Sequence, residues 1–360
     1  MKRSCLAILF LMAVVAVRAQ ERTVLLAANR AGQVEVLDPE TLQTLGSVKV
    51  LPMVDGLAAG PGGMLFLREG LAPDFRACCA LYALEIKTQS LTKLLEPVAG
   101  VAVSPDGKHV VTQRGNVGVE VFDARTLQGE PALPRSIAPG MYGFSFSPNG
   151  RLLFGASNFP SPTLDVLDLG QRKLVRQFTF PNELAVLGAW VGDDYYVYGF
   201  SKTAGQLWRV RADGSGLEAP LTISFPDAAP ECREGGRGVL GAGGRLFIFE
   251  RFGSKLDRRT GCGKQIPGGA FEVDTQTGRL TTRLAPQLHI AQLIPSADGQ
   301  ELYGLDVRDP GWSAVSVVRL NATTGQILAQ RDLLPQIWFI ALATMPEELV
   351  PRGQLQAKTK

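Results

Sequence analysis

The chain has 360 residues, 45% of them hydrophobic and 20% charged, with 37 basic against 34 acidic side chains, two histidines and five cysteines. That mix excludes a disordered chain, and the 40 glycines, about 11% against a usual ~7%, lack the period of collagen and point to frequent turns. Length alone favours two domains at ~100–200 residues each, a reading that the repeat described below replaces.

Met1-Lys2-Arg3 is a short basic start, followed by the apolar run Cys5 to Val17 and then Val17-Arg18-Ala19. This reads as a secretory signal peptide over residues 1–19, cut after Ala19, and places the mature protein in the periplasm or outside the cell. The run is shorter than the ~20 apolar residues of a membrane span, so no retained span is expected. Residues 1–19 carry Lys2, Arg3 and Arg18 and no acid, so the formal charge of +3 belongs to this segment and the remainder is neutral. A neutral chain with no basic stripe between aromatics gives nucleic acid nothing to bind.

Beyond residue 20 one pattern returns: an apolar alternating strand, a polar turn, then a second strand. In chain order the copies end at Val34-Glu35-Val36-Leu37-Asp38, Leu84-Glu85-Ile86, Val119-Glu120-Val121-Phe122-Asp123, Leu164-Asp165-Val166-Leu167-Asp168, Trp208-Arg209-Val210-Arg211, Phe271-Glu272-Val273-Asp274 and Val317-Val318-Arg319-Leu320-Asn321. Positions 38 and 321 are six periods apart, which gives about 47 residues per unit, the period of a four-stranded propeller blade. Upstream of most copies stands a tight turn: Gly60-Pro61-Gly62-Gly63, Ser104-Pro105-Asp106-Gly107, Ser147-Pro148-Asn149-Gly150, Gly192-Asp193-Asp194, Ala242-Gly243-Gly244 and Ser296-Ala297-Asp298-Gly299. Asp-Gly and Asn-Gly supply the positive φ that a short hairpin needs.

There are seven copies and six such turns. The mismatch is resolved if the chain enters its first blade at the second strand, residues 23–29, and the C-terminal run Ile337 to Ala343 supplies that blade's innermost strand. The expected fold is therefore all-β: a seven-bladed β-propeller over residues 20–350, closed by the C-terminal strand, with a loose polar tail at 351–360. A β-helix or two stacked sandwiches is the competing architecture. Val101 to Gln113 with Val119 to Asp123, and Thr23 to Asp38 with Leu26-Ala27-Ala28-Asn29, resemble the YVTN-type seven-bladed propellers of exported bacterial and archaeal proteins. That resemblance implies the same fold. For function it implies a range from binding modules to lactonases and quinoprotein dehydrogenase subunits.

In a four-stranded blade, the turns after the first and third strands share one face and the connections after the second and fourth share the other. The long connections, Arg68 to Ala80, Ser157 to Pro162, Phe225 to Gly235, Phe252 to Gly268 and Val307 to Ser313, all fall on the second face, which is the expected working surface. Asp55, Glu96, Tyr142, Glu183, Arg237, His289 and Trp338 are read as opening the innermost strands, forming a polar and aromatic ring at the channel mouth. Arg251, Arg258 and Arg259, with Lys255 and Lys264, form a basic loop in the sixth blade that fits an acidic partner. Cys232 and Cys262 fall on the same face and are expected to pair as a disulfide, at a few kcal/mol for a loop of about 30 residues. Adjacent Cys78 and Cys79 stay open between a vicinal disulfide, an intermolecular bond and two thiols.

Two histidines are too few for a metal-hydrolase or triad reading. His109 reads as a surface strand residue and His289 as facing the channel mouth. Asp193-Asp194 and Asp306 to Asp309 lack calcium-loop spacing, and no Gly-rich phosphate loop opens a helix, so neither a metal nor a cofactor is expected. The functional expectation is a monomeric, exported, non-catalytic scaffold binding a protein, peptide or glycan. The alternative is a lactonase-like or quinoprotein-dehydrogenase-like enzyme working at the channel mouth.

Overall fold

Strands form where apolar residues alternate and stop where Asp, Asn, Gly or Pro redirects the backbone. A computed structural model describes residues 20–359 apart from 30, 52, 71–78, 115–116, 135, 137–142, 158–160, 183, 201–204, 212, 226–236, 251–267, 309–314 and 334–336. The strands assemble into seven antiparallel blades, so the β-helix and stacked-sandwich alternatives fall away. From the innermost strand outwards, blade one is Ile337–Pro346, Glu21–Asn29, Gln33–Leu37 and Thr44–Lys49, and blade two is Val54–Ala59, Met64–Glu69, Leu81–Glu85 and Ser90–Leu95. Blade three is Ala99–Val103, His109–Arg114, Gly118–Asp123 and Leu133–Pro134, and blade four is Gly143–Phe146, Leu152–Ser157, Thr163–Asp168 and Lys173–Thr179. Blade five is Ala185–Val191, Asp194–Phe200, Gly205–Val210 and Leu221–Ile223; blade six is Arg237–Ala242, Arg245–Glu250, Ala270–Val273 and Leu280–Leu284. Blade seven is Ile290–Pro295, Glu301–Val307, Val315–Asn321 and Ile327–Asp332.

Because successive side chains point to opposite sides of a strand, each blade feeds two cores. Val24, Leu26 and Ala28 pack against blade two, while Leu25 and Ala27 of the same strand pack against blade seven. The same division repeats at every seam, so the core is seven interblade clusters rather than one central mass. Where inner strands converge, a side chain can be too much. A Cβ on Gly241 would lie 1.5 Å from the carbonyl oxygen of Trp190 on the neighbouring inner strand. Gly241→Ala must therefore push two backbones apart, and the expected cost is about 3 kcal/mol, read as a lowered denaturant midpoint.

Ring closure follows the expected scheme. Ile337–Pro346 pairs antiparallel with Glu21–Asn29, from Glu21 opposite Pro346 to Asn29 opposite Ile337. Gln292 of blade seven locks the seam: its side-chain amide donates to the Ile340 carbonyl at 3.0 Å and its Oε1 accepts the Ile340 N–H at 2.9 Å. Arg22 adds a second tie, to Asp38 at 2.7 Å and to Glu347 at 3.1 Å.

The tail differs from expectation. Gly353–Gln356 adds parallel to Thr44–Lys49 at the outer edge of blade one, and Lys358–Thr359 adds parallel to Ser90–Leu95 at the outer edge of blade two. Its polar sequence hid this because the binding is mostly backbone pairing to open edges, with only Leu355 and Ala357 reaching the apolar cluster. Gly46 makes the approach possible, since a Cβ there would sit 2.3 Å from the Pro351 carbonyl oxygen.

Candidate functional site

The short-turn face is built from two recurring hydrogen-bonded devices. In the first, Ser104 Oγ–H donates to Asp106 Oδ1 at 2.7 Å, and the same carboxylate accepts the Lys108 N–H at 3.1 Å. Ser147 with Asn149 and Ser296 with Asp298 repeat it. In the second, the residue ending the third strand accepts from the backbone beyond it: Asp123 Oδ1 takes the N–H groups of Arg125 and Thr126 and the Thr126 hydroxyl. Asp38, Asp274 and Asn321 act likewise. Those hydrogen bonds hold the Asp106 and Asp123 carboxyls below the usual carboxylate range, led by the Ser104 hydroxyl for the first and the Thr126 N–H for the second. The motifs that reveal the repeat are thus turn-builders on that face.

The second strands of all blades end on the opposite face, which therefore carries the long connections. Four adjacent inner strands depart from regular pairing at that end. The register shifts at Ala28–Asn29 against the closing strand, between Val54 and Gly56, between Ala99 and Ala102, and between Ile290 and Gln292. Over their described residues, the inner strands of blades four, five and six pair with their neighbours without a shift. A bulge inserts one residue and re-aims its side chain, and bulges concentrate at rims and binding sites. Blades seven, one, two and three thus form an arc with a remodelled channel mouth.

The expected ring residues can be placed on this frame. Asp55 and Trp338 are the extra residues of two of these bulges, and Arg237 opens the inner strand of blade six; their side chains lie outside what the structure describes. Tyr142, Glu183, Arg251, Arg258, Arg259, Cys232 and Cys262 lie outside the described residues, as does the segment 1–19. Glu96 departs from its assignment. It follows the outermost strand of blade two rather than opening blade three, whose inner strand begins at Ala99, and its exposed carboxylate pairs with Lys93 three residues back. Residues 96–98 are the connection from one blade to the next, which the local pattern does not separate from strand. Cys79, two residues before the third strand of blade two, is disulfide-bonded.

His289 is where the site is best defined. It directly precedes the inner strand of blade seven, and its backbone N–H donates to Asp306 Oδ1 at 2.7 Å while its ring Nδ1 lies 3.7 Å from the same oxygen. Asp306 is buried at the end of the second strand, where its other oxygen is 3.8 Å from Arg308 Nε. Arg308 Nη2 donates to Ser316 Oγ at 2.8 Å and to Asp332 Oδ1 at 2.6 Å, and the Ser316 hydroxyl donates to that same carboxylate. The Ser316 hydroxyl and then Arg308 hold Asp332 below its usual range. The result is a connected chain His289, Asp306, Arg308, Ser316 and Asp332 across the mouth end of blade seven, with one guanidinium bridging two carboxylates. Of these only His289 is selected by sequence reasoning. The available signal is Asp306 itself, a carboxylate inside the apolar strand Leu302 to Val307, since a buried acid needs partners.

No protein-family model matches the chain, and no curated protein matches it. Solved structures do. A protein from Lactobacillus plantarum aligns with a TM-score of 0.61 at 11% identity, covering 90% of this chain and 99% of that one. The computationally designed Ika8 protein aligns with a TM-score of 0.53 at 13% identity, covering 87% and 85%. At such identities the likeness is one of fold. Fold and site together define the class: a seven-bladed β-propeller with one face of tight capped turns and one face of long connections.

Proposed function

We propose that the protein is an exported propeller scaffold of the YVTN-type repeat class that binds a protein, peptide or glycan partner on its long-connection face, without catalysing a reaction. The observation that supports this reading is the arc of four adjacent bulged inner strands, which ends in the anchored network of His289, Asp306 and Arg308. Rigid strands present this arc on the face to which the chain order assigns the long connections, and scaffolds carry recognition on such faces. Export through the segment 1–19, and pairing of Cys232 with Cys262 to clamp two connections of blade six, belong to the same reading.

The test is a paired binding and turnover assay of wild type and the double variant His289→Ala, Arg308→Ala. Screening against peptide and glycan arrays should give ligands that the wild type retains and the double variant loses. Lactone hydrolysis or dye-linked oxidation by the wild type that disappears in the variant would overturn the non-catalytic reading and put the enzyme alternative in its place.

A further inference from the structure

The outermost strand of blade three is only Leu133–Pro134, whereas the corresponding strands of blades four and seven have seven and six residues. A cleft of about 390 Å³ lies between blades three and four on the short-turn face, away from the site described above. Its two walls have opposite chemistry. Blade three contributes Asp106, Glu130 and His109, and blade four contributes Asn149, Arg151 and Arg172.

Each acid has its nearest basic partner on its own wall. Asp106 is 3.0 Å from Lys108 Nζ and Glu130 is 3.1 Å from His109 Nδ1, both within blade three, while Arg151 Nε donates to Asp168 at 3.1 Å within blade four. Arg172 alone reaches across, and it meets neutral groups: its Nη2 donates to the carbonyl oxygens of Pro131 and Ala132. Among the described residues no ion pair joins the two walls, and no carboxylate neutralises Arg172. Arg172 holds a left-handed φ of 53°, in the region that Leu42 and Leu127 adopt at the same turn position of their blades, and from there its guanidinium reaches the facing blade. Acids of blade three and guanidinium groups of blade four thus line one cleft, which Arg172 spans.

We propose that this cleft is a second ligand site, for a small zwitterion such as a free amino acid or dipeptide, with its ammonium toward Asp106 and Glu130 and its carboxylate toward Arg172 and Arg151. A guanidinium favours a carboxylate through paired, charge-assisted hydrogen bonds, and the acidic wall completes the match at the other end. The volume fits a small ligand and excludes a folded partner. Because most of these groups are partly exposed, binding is weak, with a Kd on the order of 1 mM.

The experiment is an NMR or calorimetric titration of the whole protein with glycylglycine, N-acetylglycylglycine and glycylglycinamide. Glycylglycine should saturate, and capping either end should weaken binding at least about tenfold. Glu130→Gln and Arg172→Gln should each weaken glycylglycine by about tenfold, with Arg151→Gln as the substitute if the Arg172 variant does not fold. Arg352→Gln, on an exposed side chain outside both sites, should leave the titration unchanged. Absence of saturation, equal binding of the capped dipeptides, or unchanged binding in the variants overturns the proposal.

Discussion

Ending the chain before Ile337 is expected to abolish soluble folded protein, whereas ending it after Val350 should leave the propeller intact and lower its melting temperature by only a few degrees. The first truncation removes the strand that pairs along the whole of Glu21–Asn29 and the partner of the Gln292 amide, exposing the apolar faces of Leu25, Leu26 and Ala27. It also leaves blade one with an open inner edge facing the channel, and unpaired edges of buried apolar strands aggregate. The second truncation removes backbone pairing at an outer edge and the contacts of Leu355 and Ala357, a loss of a few kcal/mol at most. Soluble yield and circular dichroism of the two truncations check this. A folded, soluble protein lacking residues 337–360 would show that the ring does not depend on the closing strand.

Asp165→Asn is expected to stabilise the protein above pH 6 and to leave it unchanged near pH 4. The Asp165 side chain is fully buried in the third strand of blade four, where Gln177 donates to Oδ1 at 2.7 Å and Oδ2 has no hydrogen-bond partner. Burial pushes its carboxyl up to about 6, against the Gln177 hydrogen bond, which acts the other way. The folded chain therefore holds the proton more tightly than the unfolded chain. The neutral acid contributes fully below the unfolded value near 4, and that contribution is lost as pH rises through about 6, to the extent of roughly 3 kcal/mol. An amide keeps the Gln177 contact and never ionises, so the variant should lose the decline between pH 4 and 6. Glu35 of blade one occupies the equivalent position, and burial raises its carboxyl too, but there Arg331 of blade seven stands 3.8 Å away and offsets part of the cost. The turn carboxylates Asp38, Asp123 and Asp274 are shifted in the opposite direction, so their contribution is present above the unfolded value and lost as pH falls below it. Denaturant midpoints of wild type should therefore be highest near pH 4 to 5. A flat wild-type profile between pH 4 and 6, or no difference between wild type and Asp165→Asn at pH 7.5, would show that Asp165 does not carry this cost.

The blades were legible because turn chemistry repeats locally. Ser104-Pro105-Asp106-Gly107 and Asp123 to Thr126 each close their turn with hydrogen bonds between residues at most five apart, so the motif and the structure it makes lie side by side in the chain. Closure by Ile337–Pro346 was legible by counting, since a missing strand at one end has to be supplied at the other. The docked tail and the polar chain around His289 were not, because both depend on contacts between residues far apart. Asp306 meets His289 across 17 positions and Asp332 meets Arg308 across 24. Glu96 failed for a related reason: where one blade ends and the next begins is decided by ring geometry rather than by the local pattern.

Blade one carries a consequence for the order in which the protein is made. Its three N-terminal strands lie between two pieces of the far end of the chain, Ile337–Pro346 on the inner side and Gly353–Gln356 on the outer. The segment Glu21–Lys49 is therefore made before the other blades and completed after them. At ~5–20 residues per second, synthesis of the intervening stretch takes roughly half a minute, during which an aliphatic hairpin has neither of its neighbours. A chain that cannot shut its first blade until Ile337–Pro346 is made keeps its ring open while residues 50–336 are synthesised.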